Sequence, residues 1–151
     1  MRIEKDFKEL LKLFNKYEVK YCIIGSFALA FYAEPRYTKD LDILVEPTGE
    51  NGKKIVDALN EFGFKSLELS GNDFCQKEKF IQLGFEPVRI DLITSIQGLG
   101  FKKIWEHRES GKYGDQSVFF IGLDDLIKSK KIANRKQDIA DLEKLSRLKK
   151  K

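Results

Sequence analysis

The apolar run Tyr21-Cys22-Ile23-Ile24 stops at Gly25-Ser26, and after a short apolar stretch the chain resumes with Asp40-Leu41-Asp42-Ile43-Leu44-Val45. No other feature of the sequence narrows the fold as much. A β-rich run ending in glycine predicts a strand that turns sharply and presents backbone N–H groups at the start of the next element. Ser26 is expected to be the N-cap of a helix over residues 27–32. The positive end of that helix would point into the turn and suit a polyphosphate. Pro35 is expected to end the helix. The period of two in a strand then places Asp40 and Asp42 on one face, with Leu41 and Ile43 on the other. Two adjacent anions are costly unless a cation lies between them, so the pattern asks for a divalent metal.

A third aspartate interrupts the strand-like run Val88-Arg89-Ile90-Asp91-Leu92-Ile93. If that strand lies beside the Asp40 strand with polar faces aligned, three carboxylates converge. Such a cluster can hold two hard cations about 3.5–4 Å apart, the arrangement that stabilises attacking and leaving oxygens in phosphoryl transfer. Rival readings of Asp-x-Asp fit less well. A dehalogenase-type phosphatase carries the pair at the end of its apolar strand, whereas here the apolar run follows it. An EF-hand loop needs further oxygen ligands and a glycine where Ile43-Leu44-Val45 stand. A P-loop needs Gly-Lys-Ser or Gly-Lys-Thr, which does not occur. The plain structural alternative is a solvated strand face beside an ordinary turn.

In this order, Gly25-Ser26, Asp40-Leu41-Asp42 and Asp91 resemble the signature of the nucleotidyltransferase superfamily related to DNA polymerase β. The stretches Gly25-Ser26-Phe27-Ala28 and Pro35-Arg36-Tyr37-Thr38-Lys39-Asp40 are similar to the small bacterial and archaeal branch, which includes AbiEii-type toxins and lincosamide and aminoglycoside nucleotidyltransferases. The segments Leu123–Lys130 and Arg135–Asp141 follow the same pattern, although Lys136-Gln137 departs from the Arg-Pro-Lys-Asp more usual there. The resemblance runs from about Val19 to Leu145.

The resemblance implies a nucleotidyltransferase fold and transfer of a nucleoside monophosphate from a nucleoside triphosphate such as ATP to an acceptor hydroxyl. It implies two Mg²⁺ ions, with Asp40 and Asp42 binding both and Asp91 holding the catalytic one. Gly25 and Ser26 would hold the terminal phosphates. Arg36 and Thr38 would position the nucleotide or pin the loop. Lys130 would reach the triphosphate, and Arg135 would do likewise or pair with Asp138, with a solvated helix face as the competing reading for both. The acceptor stays open among tRNA, protein and a small hydroxylated molecule, and a toxin-like member would have an antitoxin partner. From a different class, the chain could be a catalytically silent nucleotide-binding or interaction protein with the same fold.

The 151 residues are expected to form a single domain, with enough aliphatic and phenylalanine content for a core. No stretch is long and apolar enough to span a membrane. The charged start Met1-Arg2-Ile3-Glu4-Lys5 reads as a helix rather than a secretory signal. Cys22 and Cys75 have neither metal-site nor disulfide-framework spacing, so a reduced, cytoplasmic setting is expected. The net charge of +4 comes largely from the tail around Arg147-Leu148-Lys149-Lys150-Lys151 and selects no substrate. His107, Trp105 and Tyr113 are expected to be structural.

Periodicity predicts helices over 4–16, 51–62 and 99–107 and one or two after Leu123. It predicts strands over 64–69, 80–85 and 88–94, the last two as a hairpin around Glu86-Pro87, and one ending at Ile121. A mixed α/β (α+β) architecture follows: a mixed central β-sheet flanked by helices, packed on one face, with C-terminal helices.

Overall fold

A computed structural model describes residues 4–33, 40–64, 69–85 and 88–149. The elements run α1 (Lys5–Lys16), β1 (Tyr21–Ile24), α2 (Gly25–Tyr32), β2 (Asp40–Val45), α3 (Gly49–Phe62), β3 (Phe80–Phe85), β4 (Val88–Ile93), α4 (Phe101–Glu106), β5 (Glu109–Tyr113), β6 (Gln116–Phe120), α5 (Leu123–Ala133) and α6 (Lys136–Lys149). The strands form one mixed sheet in the order β3-β4-β2-β1-β6-β5. The expected mixed α/β class is what the chain adopts.

Local chemistry accounts for the element boundaries. The helix α1 buries Phe7, Leu10, Leu11 and Phe14, whose spacing makes one apolar stripe. Thr48 caps α3, its side chain accepting a hydrogen bond from the Asn51 N–H, and Gly63 ends that helix at φ 115°. A short 3-10 segment (Gly71–Phe74) follows Ser70, whose backbone N–H donates to the Asp73 carboxylate at 2.8 Å. The strand expected over 64–69 falls largely outside the described residues, as do Pro35 and the Glu86-Pro87 turn. The hairpin they were read to form is present, with Phe85 paired to Val88.

Two pairings position the functional face. Strand β2 runs parallel to β4 with Asp42 opposite Asp91, and antiparallel to β1 with Asp42 opposite Ile24. The apolar partners on these strands, Ile23, Leu41, Ile43 and Leu92, are buried, each contributing about 1.5–3 kcal/mol. Helices reach both faces of the sheet rather than one. Phe119 and Phe120 are consecutive in β6 and point to opposite faces. Trp105 of α4 packs edge-on against Phe119, while Phe31 of α2 stacks on Phe120 at 4.2 Å.

Candidate active site

Strand alternation and register place four charged residues on one face of neighbouring strands, Asp40 opposite Arg89 and Asp42 opposite Asp91. Asp91 is 4 % exposed. Burial first, then the charge of Asp91 and a hydrogen bond to it, then the charge of Asp40, push the Asp42 carboxyl up to about 7; Arg89 works against them. A site that raises a carboxyl in this way attracts protons or cations. Hard oxygen donors side by side suit a hard divalent cation. Among the described residues no three acidic, histidine or cysteine side chains are grouped so that they could hold a metal ion. The strands supply the pair Asp42 and Asp91, with Asp40 two residues along.

The turn after β1 is built onto this face. Gly25 has φ +68°, and a Cβ there would lie 2.5 Å from Asp42 Oδ2. Only glycine satisfies both the backbone angle and that contact. Helix α2 begins at Gly25 itself with Ile24 as its cap residue, and no side chain caps it. Ser26 therefore sits inside the first turn rather than at the N-cap. The positive φ at Gly25 lets the strand pass directly into the helix, leaving no intervening cap position. The first-turn amides of α2 thus begin against the carboxylates, at a helix end that favours anions.

With this geometry in view, the chain matches, over residues 1–150, the model of a family described as nucleotidyltransferase of unknown function (DUF6036). The protein belongs to this nucleotidyltransferase family. No curated protein matches it. Among solved structures it is similar to a Thermotoga maritima protein assigned to the nucleotidyltransferases (14 % identity, 91 % of this chain and 88 % of that one, TM-score 0.62). It is similar to the lincosamide antibiotic adenylyltransferase LnuA in its lincomycin-bound form (14 % identity, 96 % and 97 % covered, TM-score 0.58). A third likeness is to an antigenic nucleotidyltransferase-like protein from Paracoccidioides brasiliensis (13 % identity, 95 % and 76 % covered, TM-score 0.58). At these identities the likenesses establish the fold.

Within this nucleotidyltransferase the remaining expected residues are distributed as follows. Arg36 and Thr38 lie outside the described residues. Lys130 is buried, its Nζ 3.0 Å from Asp141 Oδ2 and 3.5 Å from Asp138 Oδ1, so it occupies no solvated face. The Arg135 guanidinium pairs with Asp138 at 2.7 Å, and its backbone N–H donates to the same carboxylate. Arg135 also feels the charge of Asp42, which sets the α5–α6 junction within electrostatic reach of the carboxylate face.

Arg89 was not singled out from the sequence. Its Nε donates to Asp91 Oδ1 at 3.0 Å. The signal was available, because Arg89 precedes Asp91 by one strand period and so shares its face. His107 is half exposed, its Nδ1 3.0 Å from Asp125 Oδ2. Trp105 is stacked beneath Arg108 at 3.7 Å, and the buried Tyr113 hydroxyl accepts from the Glu4 N–H. Trp105 and Tyr113 are thus engaged in packing, and His107 is held by Asp125.

Proposed function

We propose that the protein is a Mg²⁺-dependent nucleotidyltransferase that moves a nucleoside monophosphate from a nucleoside triphosphate to an acceptor hydroxyl. The observation that carries this reading is the seating of the Gly25 turn on Asp42 while Asp42 lies in register with Asp91. A phosphate-binding helix start and a carboxylate pair are thereby one site. Asp40, Asp42 and Asp91 would hold the metal, which when bound would screen the phosphates and polarise the reacting oxygens. The Gly25 and Ser26 amides would hold the β- and γ-phosphates. Arg36 and Thr38 would orient the nucleotide. Arg135, within reach of Asp42, would add positive charge at the phosphate end, and Lys130 would position it by fixing Asp138, the carboxylate that Arg135 pairs with. Asp91 would accept the proton as the acceptor oxygen bonds to the α-phosphorus. The α–β P–O bond breaks in the same step, and pyrophosphate leaves.

We read the 151 residues as one catalytic domain acting in the cytoplasm. The unpaired Cys22 and Cys75 support that setting. Among the described residues no helix is long and apolar enough to cross a membrane. A tRNA or protein acceptor would make a toxin role with an antitoxin partner the natural extension. The decisive test is calorimetry with each of the four ribonucleoside triphosphates, with and without Mg²⁺, on the native chain and Asp40→Asn. Metal-dependent binding lost in the variant is the expected result. Binding of no triphosphate under either condition would overturn the reading.

A further inference from the structure

We infer that the cavity beyond Phe80 is the acceptor site, and that it takes a small hydroxylated molecule with an apolar body and an acidic group. The inference rests on the transferase reading above. An in-line displacement brings the incoming oxygen from the side opposite the leaving one. The leaving pyrophosphate belongs at the Gly25 turn, beside β1, so the acceptor approaches from the β4 and β3 side of the sheet. A cavity of about 590 Å³ opens there. This lies within the roughly 300–1,000 Å³ usual for small-molecule sites.

The floor of the cavity continues the carboxylate face. Asp42, Asp91 and Gln82 form one cross-strand row, and Leu44, Ile93 and Phe80 form the next on the same face. The rows are about 6.6 Å apart along the strands. Leu44, Ile93 and Phe80 all line the cavity. Phe80 is 52 % exposed, an unusual cost for a phenylalanine in a sheet. Its ring lies 6.0 Å from the Arg89 guanidinium that holds Asp91, so it bridges cavity and carboxylates.

The opposite wall is fixed rather than loose. Thr94 Oγ1 donates to the Gln76 carbonyl at 2.6 Å and accepts from the Lys79 N–H at 2.8 Å, while Ser95 Oγ accepts from the Glu78 N–H. Those hydroxyls are occupied by the fold, which leaves Lys77 and Lys79 as the charged groups of excess sign at the rim, against Glu78 alone. An apolar floor with cationic rim groups recognises an amphiphile bearing an anion. A cavity of this volume suits a small molecule rather than a nucleic-acid strand.

The test uses the ¹⁵N-labelled full chain and 3-(4-hydroxyphenyl)propionate as probe, followed by amide chemical shifts. Saturable shifts are expected at Lys79, Phe80, Ile93 and Leu99. Phe80→Ala should weaken binding roughly tenfold and Lys79→Glu by a few-fold. Absence of shifts, shifts centred on the separate groove at Ser110 and Phe119, or full affinity in Phe80→Ala would overturn the inference. So would a four-nucleotide single-stranded RNA that shifts these amides when the probe does not. ATP with Mg²⁺ is titrated separately and should shift Gly25, Ser26 and Asp42. If it shifts nothing while the probe binds, the transferase reading and the acceptor role fall together, and only a small-molecule site remains.

Discussion

The molecule gathers acids in two places and treats them in opposite ways. On β2 and β4, burial and then the neighbouring Asp91 and Asp40 push the Asp42 carboxyl up to about 7. At the α5–α6 junction, Asp138 and Asp141 are more deeply buried than Asp40 and Asp42, yet Lys130 lies between them and Arg135 holds the Asp138 carboxyl below the usual range. The second cluster is neutralised by its own chain and acts as a staple between helices. The first is only partly offset, by the Arg89 guanidinium paired with Asp91. The two clusters are thus told apart by the direction in which the proton affinity of their carboxyls is shifted.

The strongest way to break this comparison is Asp42→Asn. It should lower transfer by about 10³-fold or more, since bound metal supplies several kcal/mol to the reaction. The metal-free protein should meanwhile gain on the order of 1 kcal/mol in urea denaturation, as repulsion is relieved. A loss of both activity and stability would mean that the carboxylate face is structural.

The mirror experiment is Lys130→Met. Removing the cation of a buried network should destabilise the fold by about 3–5 kcal/mol, read as a shift in the denaturation midpoint. The compensated variant Lys130→Met with Asp141→Leu should recover most of it. Triphosphate affinity in that compensated protein then separates a staple, which leaves it unchanged, from a direct phosphate contact.

The two clusters should also give opposite slopes of stability against pH. Asp42 binds its proton more tightly folded than unfolded. Its contribution is full below pH about 4, near the unfolded value, and is lost as the pH rises through about 7. Asp138 is depressed, so its contribution is present above its ordinary value and is lost as the pH falls through the depressed one. Melting temperatures of the metal-free protein across that range should decline from pH 4 to 7, flatten in Asp42→Asn, and recover with Mg²⁺ at pH 8. The smallest effect belongs to Arg135→Gln. This side chain is 64 % exposed, so stability should change by about 1 kcal/mol or less.

Much of the carboxylate face was legible in the sequence because strand alternation is a short-range rule, and Asp40 opens an apolar run that Asp42 interrupts, as Asp91 interrupts another. The helix start was misread at Ser26, since capping preference ignores a glycine whose positive φ carries the chain straight into the helix. Strand β5 escaped notice because Glu109-Ser110-Gly111-Lys112-Tyr113 is an edge strand whose buried side chain is Tyr113. The pairing of Lys130 with acids a helix away was invisible too, because nothing in a helical repeat says which cation will be buried. Arg89 was readable in principle but has no meaning until the register sets Asp40 opposite it.

The order of the strands also bears on how the chain matures. The outer pairs, β3 with β4 and β5 with β6, are local in sequence and are expected to close first, whereas pairing β2 with β4 and β1 with β6 requires long intervening segments to be looped out. Asp42 and Asp91 belong to that late pairing. A partly folded chain can thus hold both hairpins and still lack the site, so metal affinity recovered during refolding should lag behind hydrogen-exchange protection of the hairpin amides. On this expectation the carboxylate face is completed as the last act of folding, and a nascent or damaged chain lacks it until its central strands join.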